Sequence, residues 1–189
     1  LECSKVVIDD RKAAKDATQH LIDTGCKRIA HFRGPLLSQN SIDRFLGYRE
    51  ALEENNFIYD SSLVYICECG DSSFEEGKLN AIKLIEDHDD IDGVFINTDL
   101  VAIGALTAFE EMGINVPNDI SVVGFSNWFM SSVISPSLTT INQPGFKIGK
   151  AAFKQLYKEL KQRKNNQPVV YKKITLNTEL IKRASTKTL

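Results

Sequence analysis

The side chains with the most chemistry to offer are Asn97, Thr98 and Asp99, which stand where the apolar run Gly93 to Ile96 gives way to a helical run, Leu100 to Met112. An amide, a hydroxyl and a carboxylate at the end of a strand, next to the unpaired N–H groups of a helix N-terminus, suit a polar ligand. Other strand ends of the same kind are Asp9-Asp10, Arg33-Gly34, Glu68-Cys69-Gly70-Asp71 and Ser126-Asn127. If these strands run parallel, all five ends share one rim. Its hydroxyls, amides and carboxylates, with one arginine, match a polyhydroxylated or otherwise polar small molecule. Taken one at a time, each Asx or Ser reads equally well as a helix cap.

Signals of catalysis are missing. The chain has no G-x-G-x-x-G, no G-x-x-x-x-G-K-[ST] and no G-x-S-x-G, so no strand-to-helix turn carries a phosphate cradle or a nucleophile elbow. His20, His31 and His88 are scattered and read as structural or solvated. No catalytic residue, metal set or cofactor is expected. Cys3, Cys26, Cys67 and Cys69 lack framework spacing, which fits a reduced, cytoplasmic protein. No run approaches the roughly 18 apolar residues of a membrane span, and Leu1 to Lys5 lacks a basic, then apolar, leader. A net charge of -2 leaves no footprint for nucleic acid. The charge is uneven, because residues 147–189 hold 12 Lys/Arg against 2 Asp/Glu. Solvated faces account for that, with a basic binding surface as the alternative.

The elements that would position the rim follow from periodicity. At 189 residues and 42% hydrophobic, the chain can bury a real core. Val6 to Ile8, Arg28 to Phe32, Leu63 to Cys67, Gly93 to Ile96 and Ser121 to Phe125 read as strands. The intervening helices run from about Lys12 to Thr24, Asn40 to Asn56, Ser73 to Glu86 and Leu100 to Met112. Five alternations predict an α/β fold: a doubly wound, mostly parallel sheet of about five strands with helices on both faces. Gly47 inside the second helix costs about 1 kcal/mol against Ala, which suggests close packing against a neighbouring backbone. The helix Leu100 to Met112 is apolar nearly all round. Its second side must be covered by another helix of this chain or by a second subunit. Beyond it, Trp128 to Ile134 reads as a short helix, Gly145 to Lys161 as a longer one, and Val169 to Leu176 and Glu179 to Arg183 as strands.

Several stretches, taken in order, resemble the effector-binding region of the lac repressor and galactose repressor family. They are His20-Leu21-Ile22-Asp23-Thr24-Gly25, Arg44-Phe45-Leu46-Gly47-Tyr48-Arg49, Asn97-Thr98-Asp99, Val116-Pro117-Asn118-Asp119-Ile120-Ser121-Val122-Val123-Gly124-Phe125 and Ser135-Pro136-Ser137-Leu138-Thr139-Thr140. The resemblance implies the C-terminal lobe of a type I periplasmic-binding-protein-like fold, in a bacterial transcription regulator whose operator-binding helix-turn-helix domain is not in this chain. A periplasmic sugar-binding protein of a transporter is the alternative. Residues 1–142 would be that lobe, 143–165 a crossover and helix of the largely absent N-terminal lobe, and 166–189 return strands and tail.

The resemblance also implies an effector site. Arg44 falls on the arginine that bonds ligand hydroxyls, Ser38 and Asn40 on polar pocket positions, and Ser72 where an aromatic often stacks on the ligand. Thr98, Asp99, Ser126, Asn127 and Gln143 complete the expected set. Ser126 stands where a pocket Asp is usual and Ser38 where a purine-binding member has Arg, which argues against a purine and leaves a sugar-like metabolite. A homodimer is implied as well, through a self-complementary patch of Ile103, Leu106, Met130 and Ile134.

Overall fold

A computed structural model describes residues 3–68 and 73–188. The chain divides into two compact units: Asp10–Asn142 with Glu179–Leu189, and Leu1–Asp9 with Gln143–Thr178.

The larger unit is built on six strands. In chain order these are β2 (Ile29–Arg33), β3 (Val64–Ile66), β4 (Gly93–Ile96), β5 (Ser121–Ser126), β6 (Thr139–Asn142) and β8 (Glu179–Ile181), while β1 (Lys5–Ile8) and β7 (Lys173–Leu176) belong to the smaller unit. Their spatial order is β3-β2-β4-β5-β6-β8. The first five are parallel, and β8 runs antiparallel on the outer edge of β6. All four residues of β4 are buried. A strand covered on both faces reads as an unbroken apolar run, as this one does.

Two helix pairs supply the cover. Helices α1 (Asp10–Asp23) and α2 (Gln39–Glu54) pack on one another, as do α3 (Ser73–Asp87) and α4 (Asp99–Glu111). Alternate residues of each strand point to opposite faces. Phe32, Val94, Ile96 and Val122 therefore meet α3 and α4 in a hydrocarbon core with Ala105, Phe109 and Leu138. His31, Phe95 and Phe125 turn to the other face, where His31 stacks on Tyr48 of α2.

Both pairs depend on glycine. A Cβ on Gly47 would lie 2.1 Å from the Arg11 carbonyl oxygen of α1, which is the close backbone approach expected of it. In the other pair, a Cβ on Gly104 would lie 2.0 Å from the Phe74 carbonyl and one on Gly77 2.1 Å from the Val101 carbonyl. Helix α3 is thus what covers the second side of the over-apolar α4. No second subunit is needed for that purpose.

Two expectations need correction. The strand at Val6 to Ile8 forms, but β1 (Lys5–Ile8) does not join the six-stranded sheet. It pairs in parallel with β7 (Lys173–Leu176), Val6 opposite Ile174, and the fifth parallel position goes to β6. The return strands also separate: β7 stays with β1, and only β8 reaches the larger sheet. Asp9 and Asp10 consequently fall in different units. Apolar composition marks these segments as strands but does not name their partners, and β1 and β7 are only part-buried.

In the smaller unit, α5 (Gly145–Lys164) packs on β1 and β7, and Gln155 donates to the Ser4 hydroxyl at 3.2 Å. Phe146, Phe153, Leu156, Tyr157 and Leu160 of this helix are exposed. No helix among the described residues is long and apolar enough to cross a membrane.

Candidate functional site

The strand order reverses between β2 and β4: from β2 the chain moves outward to β3, and from β4 it moves the other way to β5 and β6. Loops leaving two such strands depart to opposite faces and open a crevice beyond their carboxyl ends. Arg33-Gly34 and Asn97-Thr98 flank that crevice. A Cβ on Gly34 would lie 2.4 Å from the Asn97 side-chain nitrogen and 3.3 Å from the Ser41 Cβ, so a side chain at residue 34 would displace the Asn97 amide.

Arg44 projects into this region from α2 and is 4% exposed. Its Nε donates to Asp10 Oδ1 at 2.8 Å, Nη2 approaches the same oxygen at 2.7 Å, and Nη1 donates to the Asn97 carbonyl at 2.7 Å. The guanidinium also lies 3.6 Å from the centre of the Phe125 ring. Arg44 thus joins the start of α1, the end of β4 and the end of β5. A buried guanidinium held on three sides keeps one orientation and fixes the spacing of the loops around it.

Asp99 is 1% exposed and is also tied internally. One oxygen accepts from the Trp128 N–H at 2.7 Å and the Ser131 hydroxyl at 2.6 Å, and the other accepts from the Thr140 hydroxyl at 2.6 Å. A buried carboxylate needs such donors. The geometry gives Asp99 the task of joining the start of α4 to the β5 exit and to β6. Its neighbour Thr98 is the N-cap of α4 and accepts from the Val101 N–H at 3.5 Å.

At the end of β5, Ser126 and Asn127 have φ values of 133° and 53°. Positive φ at two consecutive non-glycine residues is costly and persists only where neighbours impose it. Arg183 donates to Asn127 Oδ1 at 2.7 Å, and the Asn127 amide donates to Asn142 Oδ1 at 3.1 Å. These bonds hold the strained turn at the rim.

The remaining expected residues are distributed as follows. Ser38 is the half-buried N-cap of α2 without a side-chain cap bond, and its hydroxyl donates to the exposed Asn40 Oδ1. Ser72 lies outside the described residues, with Cys69, Gly70 and Asp71. Gln143 belongs to the smaller unit. The expected subunit patch is largely internal: Leu106 is 7% exposed in the α3–α4 core, Ile134 packs against that core, and Ile103 and Met130 are half-buried. The apolar side chains that do face outward there are Trp128, Phe129 and Val133.

Sequence reasoning passed over the residues that hold the rim in shape, namely Thr140, Ser131 and Arg183. Thr140 lies in the quoted stretch Thr139-Thr140, and a strand with two consecutive hydroxyls beside a buried face was the available signal. His31, expected to be structural, is fully buried between Phe95 and Tyr48, at 4.8 and 5.0 Å between ring centres. Its Nδ1 bonds the Phe95 carbonyl at 2.9 Å, and burial, with Arg33 and Arg44 nearby, lowers its pKa to about 3.

The comparisons with known proteins agree with this geometry. A family model described as "Periplasmic binding protein-like domain" matches residues 18–186. The ribose operon repressor of Halalkalibacterium halodurans is 32% identical over 182 residues, covering 96% of this chain and 52% of the repressor. The chain belongs to the LacI/GalR family. Catabolite control protein A of Priestia megaterium is 38% identical over 81% of this chain and 46% of its own length. A solved structure of the LacI/GalR family, a complex of the transcriptional regulator CelR with cellobiose, superposes with a TM-score of 0.87 at 32% identity, over 97% of this chain and 54% of CelR. The chain spans about half the length of the curated relatives it matches.

Proposed function

We propose that this chain is the greater part of the ligand-sensing half of a transcription regulator, which binds a small polar metabolite, sugar-like in its hydroxyl content, and thereby controls operator binding by a separate helix-turn-helix domain. The observation that carries the reading is the rim at the β2–β4 reversal. Hydroxyl, amide and guanidinium groups converge there on a frame held rigid by Arg44 and Asp99, and a rigid frame is what lets polar groups discriminate one hydroxylated ligand from another. The cellobiose complex of CelR supports a sugar over other polar metabolites. In this reading Ser38, Asn40, Thr98, Ser126 and Asn127 face the ligand, and Arg44 and Asp99 position them. The regulator works in the cytoplasm, where operator DNA is reached.

We further infer a homodimer, now with Trp128, Phe129 and Val133 as its apolar contact in place of Leu106 and Ile134. Exposed apolar groups clustered on one segment are removed from water when a two-fold copy meets them.

The test uses the complete regulator, with the sequence encoded upstream of Leu1. Calorimetry against a panel of mono- and disaccharides, followed by gel shift on its operator, is expected to find a sugar that binds and changes operator affinity at least tenfold. Light scattering at micromolar concentration is expected to give the mass of two chains. A leader peptide in place of a helix-turn-helix upstream, or operator binding indifferent to every sugar that binds, would refute the reading.

A further inference from the structure

Arg33 is the last residue of β2 and stands at the crevice where the strand order reverses. Unlike Arg44, it has no ion pair or side-chain hydrogen bond among the described residues. Its Nε is buried and lacks a hydrogen-bond partner. The guanidinium lies 4.4 Å from the centre of the Phe45 ring, on α2. A second arginine shares that ring: Arg49, one turn further along α2, lies 6.0 Å from Phe45 and 4.9 Å from Tyr59. Arg49 donates one terminal nitrogen to Glu53 at 3.1 Å, and its Nε is again buried without a partner.

Two cations gathered about one aromatic side chain repel each other, and an aromatic face offsets only part of the lost hydration. The usual partner of a guanidinium, a carboxylate, reaches Arg49 through Glu53 and, among the described residues, does not reach Arg33. Burial accordingly lowers the Arg33 pKa from its ordinary value. An arginine with its fork of donors unspent at the mouth of a ligand crevice is the arrangement that receives an oxyanion in bidentate fashion.

We propose that Arg33, with Arg49 reinforcing the local positive potential, forms an oxyanion subsite, so that the metabolite sensed here carries a phosphate or carboxylate group. The proposal rests on the reading that the rim is the effector site, and it narrows the effector from a neutral sugar to an acidic sugar derivative. Arg33 receives the charged group, while the hydroxyl and amide groups of the rim receive the rest.

The test titrates inorganic phosphate, acetate and, as the ionic-strength control, chloride into this 189-residue chain and its Arg33→Gln, Arg33→Lys and Arg49→Gln variants, by calorimetry and thermal shift. Saturable binding of phosphate or acetate at one site per chain is expected, with chloride giving none. Affinity is expected to fall at least tenfold in Arg33→Gln, a few-fold in Arg49→Gln, and less in Arg33→Lys than in Arg33→Gln. The stronger of the two probes identifies the group. No saturable oxyanion binding by the unmodified chain, or equal binding by Arg33→Gln, overturns the proposal. If Arg33→Gln does not fold, the decision passes to Arg33→Lys and Arg49→Gln, and binding unchanged in both overturns it. A parallel titration of the complete regulator with neutral sugars keeps the two readings apart. Strong binding of a neutral sugar, unaffected by Arg33→Gln, sinks the oxyanion subsite and leaves the effector site standing.

Discussion

The two faces of the central sheet solve the same packing problem with different materials. On one, α3 and α4 close over Phe32, Val94, Ile96, Phe109 and Leu138, a core of hydrocarbon with almost nothing to hydrogen-bond. On the other, α1 and α2 close over His31, Tyr48, Phe95 and Phe125 and admit the guanidinium groups of Arg33 and Arg44 to the same aromatic stack. Both pairs use a glycine to bring helix backbones together, so the contrast lies in what fills the space, not in how closely it is filled. The first face holds the fold by transfer of apolar surface from water. The second carries the guanidinium groups of Arg33 and Arg44 toward the rim. Fixed charge is therefore weighted to the α1–α2 face, with the buried Asp99 at the start of α4 as the exception.

The largest test of that division is Phe109→Ala on the apolar face. It is expected to cost about 4 kcal/mol by urea unfolding, because a fully buried ring leaves a cavity that the surroundings refill only in part. The loss is expected to be the same at pH 5.5 and pH 7.5. A clear pH dependence would mean that the two faces are not separate.

Arg44→Ala on the polar face comes next, at about 3 kcal/mol, because it removes a buried guanidinium together with its bonds to the part-buried Asp10 and to the Asn97 carbonyl. Arg44→Lys is expected to recover less than half, since one ammonium cannot reach both. Urea unfolding of both variants checks this, and full recovery by Lys would show that charge rather than the fork shape matters.

The smallest effect concerns His31. Its pKa is about 3 in the folded chain against an ordinary value of 6.5, so between those values the unfolded chain binds a proton that the folded chain does not. Stability from this group is complete above pH 6.5 and is lost as pH falls, by about 1.4 kcal/mol per pH unit. Between pH 6.5 and 5 that amounts to about 2 kcal/mol. Subtracting the stability curve of His31→Gln from that of the unmodified chain isolates the slope from the carboxylates and from His20, whose pKa is also lowered. A difference curve that is flat over this window would show that His31 is protonated in the fold.

Much of this was legible before any coordinates. Alternating apolar runs and helical periods located the strands and helices of the larger unit to within a few residues, and Gly47 announced its close packing because a glycine inside a helix is costly without a use. The rim was legible as a set of polar strand ends. Which of them turn inward was not. Asp99 and Thr98 are adjacent and equally polar, yet one is 1% exposed with three internal donors and the other caps a helix while half-buried. The same difficulty applies to apolar groups: Leu106 and Val133 are both apolar, and only the packing of α3 on α4 makes one core and the other surface.

The sequence by itself determined the fold class and the family, because periodicity and turn residues are properties of neighbours along the chain. The partners were decided only in three dimensions. That β1 joins β7 and leaves its place to β6, that Arg44 finds Asp10 while Arg33 lies over Phe45, and that Asp99 serves the frame depend on groups far apart in sequence. Hydrogen bonds and ion pairs act over a few ångströms, so their assignment waits until the chain has brought those groups together.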